Sequence, residues 1–200
     1  MIASFTNNFI FLKSAKTGSS STEVVLAASC RDPDIVTPNE QTKRGMNDRN
    51  WLGLSRFRSH EHARSARRKL PGLWERAFKF TVERHPYEKV VSQAYYRLPS
   101  FPDFELALAS VIRRGKFHSR AVYEIDGEVA VDEVIDYANL APRLAELGAQ
   151  WGHAMPAAMP RINSAQRKDR RPAVEILTEA QKAEIYEGAR VVFDRMGFKP

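Results

Sequence analysis

The chain has 200 residues, 43% of them hydrophobic and 28% charged, with a formal net charge of +7. These are the proportions of one globular domain rather than of a disordered or fibrous chain. Its longest apolar run near the N-terminus, Phe9-Ile10-Phe11-Leu12, is too short to cross a bilayer, and Met1 to Asn8 lacks the basic start and apolar stretch of a secretory signal. The lone Cys30 excludes an intramolecular disulfide and argues against a metal cluster, so a reducing cytoplasm is the expected location and buried packing at the end of a helix the expected role of this thiol.

Asn8 to Leu12 predicts a short buried strand, because apolar residues run together with no helical period. A Gly/Ser/Thr segment follows, and Glu23 to Ala28 reads as helix, with Cys30 near its end. Asp34 to Thr37 reads as a second strand closed by Pro38, and Thr42 to Trp51 as a polar loop. His60 to Leu70, rich in Ala and Arg, predicts a helix ended by Pro71-Gly72. Phe78 to Val82 alternates as a strand does, and His85-Pro86 turns the chain into a helix from Tyr87 to Tyr96. Pro99 and Pro102 punctuate a loop before a helix near Phe104 to Arg113. Val129 to Ile135 reads as one strand and Leu140 to Leu147 as a helix. Met155 to Pro172 is Pro-rich and basic without a period, the pattern of an ordered loop or lid. Thr178 caps a final helix through Phe193, stopped by Gly197. There are no internal repeats, and strands alternating with helices predict a single α/β domain over residues 1–200 with a mainly parallel sheet.

The positive charge is concentrated. Arg56, Arg58, Arg64, Arg67, Arg68 and Lys69 crowd one stretch, and Arg161, Arg167, Lys168, Arg170 and Arg171 another. Two solvated basic faces, an anionic cofactor, an anionic substrate and nucleic acid all fit such runs, and charge alone does not choose among them.

The segment Lys16-Thr17-Gly18-Ser19-Ser20-Ser21 lies between a predicted strand and a predicted helix. Backbone N–H groups at a helix start converge on an anion, and small residues let the backbone come close. The hydroxyls of Thr17, Ser19, Ser20, Ser21 and Thr22 offer further donors, and Lys16 a full positive charge. This is not a Walker A loop, which places Lys after the last Gly and a magnesium-binding Ser or Thr next to it. Farther on, Arg84 follows the strand Phe78–Val82, and Ser92 lies eight residues later in the next helix. An Arg fork and a hydroxyl two turns away can share one phosphate.

Together the two segments resemble the sulfotransferase family that uses phosphoadenosine phosphosulfate (PAPS), closest to its carbohydrate (heparan/chondroitin-type) branch. Phe11-Leu12-Lys13-Ser14-Ala15-Lys16-Thr17-Gly18-Ser19-Ser20-Ser21 is similar to the loop that binds the 5′-phosphosulfate, with Ala15 in place of a frequent Pro. Phe80-Thr81-Val82-Glu83-Arg84-His85-Pro86, continuing to Val91-Ser92, is similar to the segment that binds the 3′-phosphate, with His85 in place of a frequent Asn. Asp132 to Leu140 resembles the family's strand ending in Glu-Asn-Leu, except that Ala138 replaces the Glu. Asn163-Ser164 with Arg167 is similar to a later segment that closes over the cofactor, and Ile185 to Phe198 to the closing helix.

The resemblance implies a three-layer sulfotransferase fold related to P-loop nucleotide-binding folds. It also implies transfer of a sulfuryl group from PAPS to a hydroxyl, with PAP as product, a carbohydrate or glycoconjugate as acceptor and no metal. Lys16 would then offset charge on the leaving phosphate, and Lys16, Thr17, Gly18, Ser19, Ser20, Ser21, Arg84, Ser92, Ser164 and Arg167 would bind the cofactor. His60 and His62 lie between the two motifs, where related enzymes keep a catalytic His, and His60 is favoured as the base; His85, His118 and His153 read as structural or exposed. Two other readings stay open. A phosphotransferase on a related fold would need magnesium and ATP. A basic nucleic-acid module using Arg56–Lys69 would bind in a strongly salt-dependent way, although few aromatics accompany that stretch.

Overall fold

The computed structural model describes residues 1–37, 51–52, 55–156, 158–160, 162 and 167–200. Pro38, most of the expected loop Thr42–Trp51, Arg161 and Ser164 lie outside the described residues. In chain order the elements are β1 (Ile2–Ser4), β2 (Phe9–Leu12), α1 (Ser19–Ala27), β3 (Ile35–Val36), β4 (Trp51–Leu52), β5 (Ser55–Arg56), α2 (Ala63–Lys69), α3 (Pro71–Arg76), β6 (Phe78–Glu83), α4 (Pro86–Arg97), α5 (Phe104–Arg113), α6 (Arg120–Tyr123), β7 (Glu124–Ile125), β8 (Glu128–Val129), β9 (Glu133–Asp136), α7 (Leu140–Gln150), α8 (Ala173–Ile176) and α9 (Glu179–Met196). They fall into two compact units. The first holds Met1–Glu83 and Arg120–Ile162, the second Arg84–Ser119 and Asn163–Pro200.

The first unit is α/β, with a five-stranded sheet in the order β3-β1-β2-β6-β9. β2, β6 and β9 are parallel neighbours, while β1 is antiparallel to both β2 and β3. The sheet is therefore mixed and mostly parallel, with β1 alone running against the rest. Side chains of period two divide its residues between two cores. Phe9 and Phe11, with Ile2, Phe80, Val82 and Ile135, face Leu26 of α1 and Leu140, Leu144 and Leu147 of α7. Ile10 and Leu12, with Ala3 and Ile35, face Ala63 and Ala66 of α2, Trp74 of α3 and Tyr123 of α6. Helices thus cover both faces of the sheet. Burial of each of these large side chains contributes about 2 kcal/mol, which explains why a strand of four residues such as β2 carries no polar position.

Three sequence expectations need correction here. Pro71-Gly72 does not simply end a helix: α2 stops at Lys69, and Pro71 opens α3 at a position where its missing N–H costs nothing. Val129–Ile135 is not one strand. The chain first makes the hairpin of β7 and β8 across Asp126-Gly127, both at positive φ (55° and 89°), and then forms β9. Cys30 is half-buried rather than buried, its Sγ 3.3 Å from the Leu26 carbonyl oxygen.

In the second unit, α4, α5 and α9 pack through Tyr87, Val90, Val91, Leu108, Val111, Ile185, Ala189 and Phe193. α9 starts at a reciprocal capping box of Thr178 and Gln181 and ends at left-handed Gly197, as its sequence anticipates. No helix among the described residues is long and apolar enough to cross a membrane.

Candidate phosphate loop and base

The loop after β2 enters α1 through two residues of reversed hand. Lys16 has φ 61° and Gly18, the N-cap of α1, has φ 69°, while Thr17 between them does not share that region. Alternating hand turns successive N–H groups toward one side, the concave arrangement that receives anions. Gly18 has no side chain with which to cap α1, and the helix's first turn carries no acidic residue, so the positive end of the helix is not neutralised from within. Gly18 is required twice over. Its φ disfavours any side chain, and an added Cβ would stand 2.7 Å from Cε2 of Tyr137, whose ring lies against the loop.

Hydroxyls tie the loop together from beneath. Ser14 Oγ donates to the Val82 carbonyl of β6 and lies 2.7 Å from Thr17 Oγ1. Thr22 Oγ1 donates to the Gly18 carbonyl at 3.3 Å, and Ser21 Oγ accepts from the Ile162 N–H at 3.5 Å. Ser19 and Ser21 are buried, and Ser20 and Lys16 are half-buried.

Below the loop, Lys13 Nζ pairs with Glu23 Oε2 at 2.5 Å, and the Met1 ammonium reaches Glu23 Oε1 at 2.7 Å. Burial by itself would raise the Glu23 pKa, but the two cations outweigh it and hold the carboxyl below its ordinary value. His60 Nδ1 lies 2.9 Å from the Lys13 carbonyl oxygen. A carbonyl only accepts, so Nδ1 carries the hydrogen and the neutral ring keeps its basic lone pair on Nε2. Burial lowers the His60 pKa from its usual 6.5; the hydrogen bond to Lys13 opposes this, and the charges of Lys13 and Met1 add to it. The neighbouring Glu61 is buried and accepts from the Arg58 N–H at 2.7 Å and Lys69 Nζ at 2.8 Å, which fixes the turn that carries His60. His60 and His62 are both exposed; His62 stands at the N-cap of α2 and makes no capping bond there.

The second unit contains Arg84, Ser92 and Arg167. Arg84 and Arg167 meet on Glu88: their guanidinium nitrogens lie 3.0 and 2.5 Å from its Oε2, and the Ala173 N–H donates to its Oε1 at 2.7 Å. Burial would raise the Glu88 pKa, but these donors and charges bring it below the ordinary carboxylate value. Ser92 is half-buried one turn beyond Glu88 on α4, so Arg84, Glu88 and Ser92 recur at a spacing of four. Sequence reasoning missed Glu88, although the i,i+4 spacing from Arg84 was legible. His85 caps α4 and bonds through Nε2 to the Lys199 carbonyl at 2.9 Å, packed among Tyr87, Phe193 and Phe198; it holds structure together.

Among the described residues, no group of three or more His, Cys, Asp or Glu is placed to hold a metal ion. No family model matches the chain, and no curated protein and no solved structure matches it.

Proposed function

We propose that this protein is a sulfotransferase that moves a sulfuryl group from PAPS to a hydroxyl of a carbohydrate or glycoconjugate acceptor and releases PAP. One observation carries this reading furthest: a turn left-handed at Lys16 and Gly18 leads from a central strand into a helix whose N-cap, Gly18, makes no side-chain cap. That is a phosphate cradle by its backbone, and the Lys-before-Gly order separates it from magnesium-dependent nucleotide loops.

PAPS supplies an activated sulfuryl group whose transfer leaves a phosphate as leaving group. The protein's own task is to hold that phosphate, offset its charge and accept a proton. Backbone N–H groups of the turn and of Ser19 to Ser21 bind the 5′ end, and Lys16 offsets the charge that grows on the leaving oxygen. The neutral Nε2 of His60 takes the proton as the acceptor oxygen attacks, and its lowered pKa keeps it unprotonated at neutral pH. Arg84 and Ser92 bind the 3′-phosphate, with Arg84 oriented by Glu88. Arg167 spends its fork on Glu88 and on the Asp169 and Arg171 carbonyls, so it secures the 167–173 segment as well as adding positive charge beside Arg84.

The reading is tested by following PAP release from PAPS across a panel of neutral and anionic saccharide acceptors. An acceptor-dependent release that disappears in Lys16→Ala supports it. Equal release in wild type and Lys16→Ala contradicts it.

A further inference from the structure

Lys13 stands where the phosphate loop and the base meet. Its Nζ pairs with Glu23, a residue of α1, across a separation of 10 residues, so the ion pair ties the entry of the loop to the helix that follows it. Its carbonyl oxygen accepts from His60 Nδ1 at 2.9 Å. The next residue, Ser14, is pinned to the Val82 carbonyl of β6. Lys13 and Glu23 are 4% and 0% exposed. A buried ion pair contributes little net stability over an apolar pair of equal volume, because desolvation offsets most of the attraction. What it provides is a fixed geometry, and here the fixed group is the peptide that holds His60.

We propose that Lys13 is a positioning residue for His60: its ammonium, held by Glu23, fixes the peptide whose carbonyl orders the imidazole as the Nδ1–H tautomer and leaves Nε2 as the basic nitrogen. The inference rests on the sulfotransferase reading for its catalytic meaning, while the tautomer itself does not depend on it. When the acceptor hydroxyl gives its proton to Nε2, the ring becomes an imidazolium with a hydrogen on each nitrogen. The Nδ1–H bond to the Lys13 carbonyl persists and strengthens, as hydrogen bonds from charged donors do. The loop that receives the leaving phosphate and the ring that receives the proton are thus referenced to one peptide. Nearby charge also reaches the ring: Lys13 and the Met1 ammonium disfavour its protonation, and Glu23 favours it.

The test is nitrogen NMR of imidazole-labelled protein, titrated with pH, on wild type, Lys13→Met and Lys13→Arg, with PAP affinity and turnover measured on the same samples. In wild type, His60 shows a protonated Nδ1 and an unprotonated Nε2 above its midpoint. In Lys13→Met that midpoint rises because a neighbouring cation is lost, and kcat falls by roughly 10- to 100-fold, the scale of a small misplacement of a reacting group. Lys13→Arg restores both in large part. A His60 with its hydrogen on Nε2, or an unmoved midpoint in folded Lys13→Met, overturns the inference. Should Lys13→Met fail to fold, the wild-type tautomer and the Lys13→Arg midpoint decide. Absence of PAP binding in wild type sinks the sulfotransferase reading instead, and the tautomer measurement stands apart from that result.

Discussion

Thr17 donates its hydroxyl hydrogen to Ser14 inside the loop between β2 and α1: the two oxygens lie 2.7 Å apart, and Ser14's own hydrogen is committed to the Val82 carbonyl. Thr17 is fully buried, so its side chain serves the loop itself. In Thr17→Val the Ser14 oxygen loses its donor in a dry site, a loss of about 1–3 kcal/mol. Thr17→Ser keeps the hydroxyl and should lose far less. Urea unfolding of the two variants checks this, and equal stability would contradict the assignment of donor and acceptor.

Gly18→Ala combines a left-handed φ with a Cβ set against the Tyr137 ring. Backbone strain alone is worth about 1–3 kcal/mol. Adding Tyr137→Ala removes the steric part and leaves the strain. The double variant should therefore recover part of the stability lost in Gly18→Ala, measured as a non-additive shift in the unfolding midpoint.

Glu88 couples stability to pH. Its folded pKa is lowered, so its contribution is present above the unfolded value of about 4.3 and is lost as pH falls through the folded value. Wild type should melt higher than Glu88→Gln at neutral pH, and the gap should close in acid. A gap that is constant from neutral pH to acid would show that the two arginines do not depend on the carboxylate charge.

If His60 is the base, as the proposed function has it, kcat should rise with pH through a midpoint below 6.5 and level off by neutrality, since only a neutral imidazole accepts a proton. His60→Ala should abolish turnover, whereas His62→Ala, which removes no capping bond, should retain most of it. The reverse pattern would move the base to His62.

Much of this arrangement is legible without coordinates, and the limits are physical. β2 is readable because a strand buried on both faces needs dense apolar sequence, β6 because Phe78 to Val82 alternates, and α9 because its cap, Thr178, is a side-chain signal. β1 is not, since three residues are too few to show a period and only pairing with β2 and β3 extends them. The positive φ of Lys16 has no residue-type signature, unlike that of Gly18. The contacts of His60 with Lys13 and of Glu88 with Arg167 join residues separated by 47 and 79 positions, and such pairs become visible only once the chain folds.

The most direct test of the central claim is titration calorimetry with PAP set against ATP, with and without magnesium. Micromolar PAP binding that needs no metal, is far tighter than ATP binding and drops sharply in Arg84→Ala is the expected result. ATP binding that requires magnesium, or no binding of PAP at all, would contradict the assignment of this loop to PAPS.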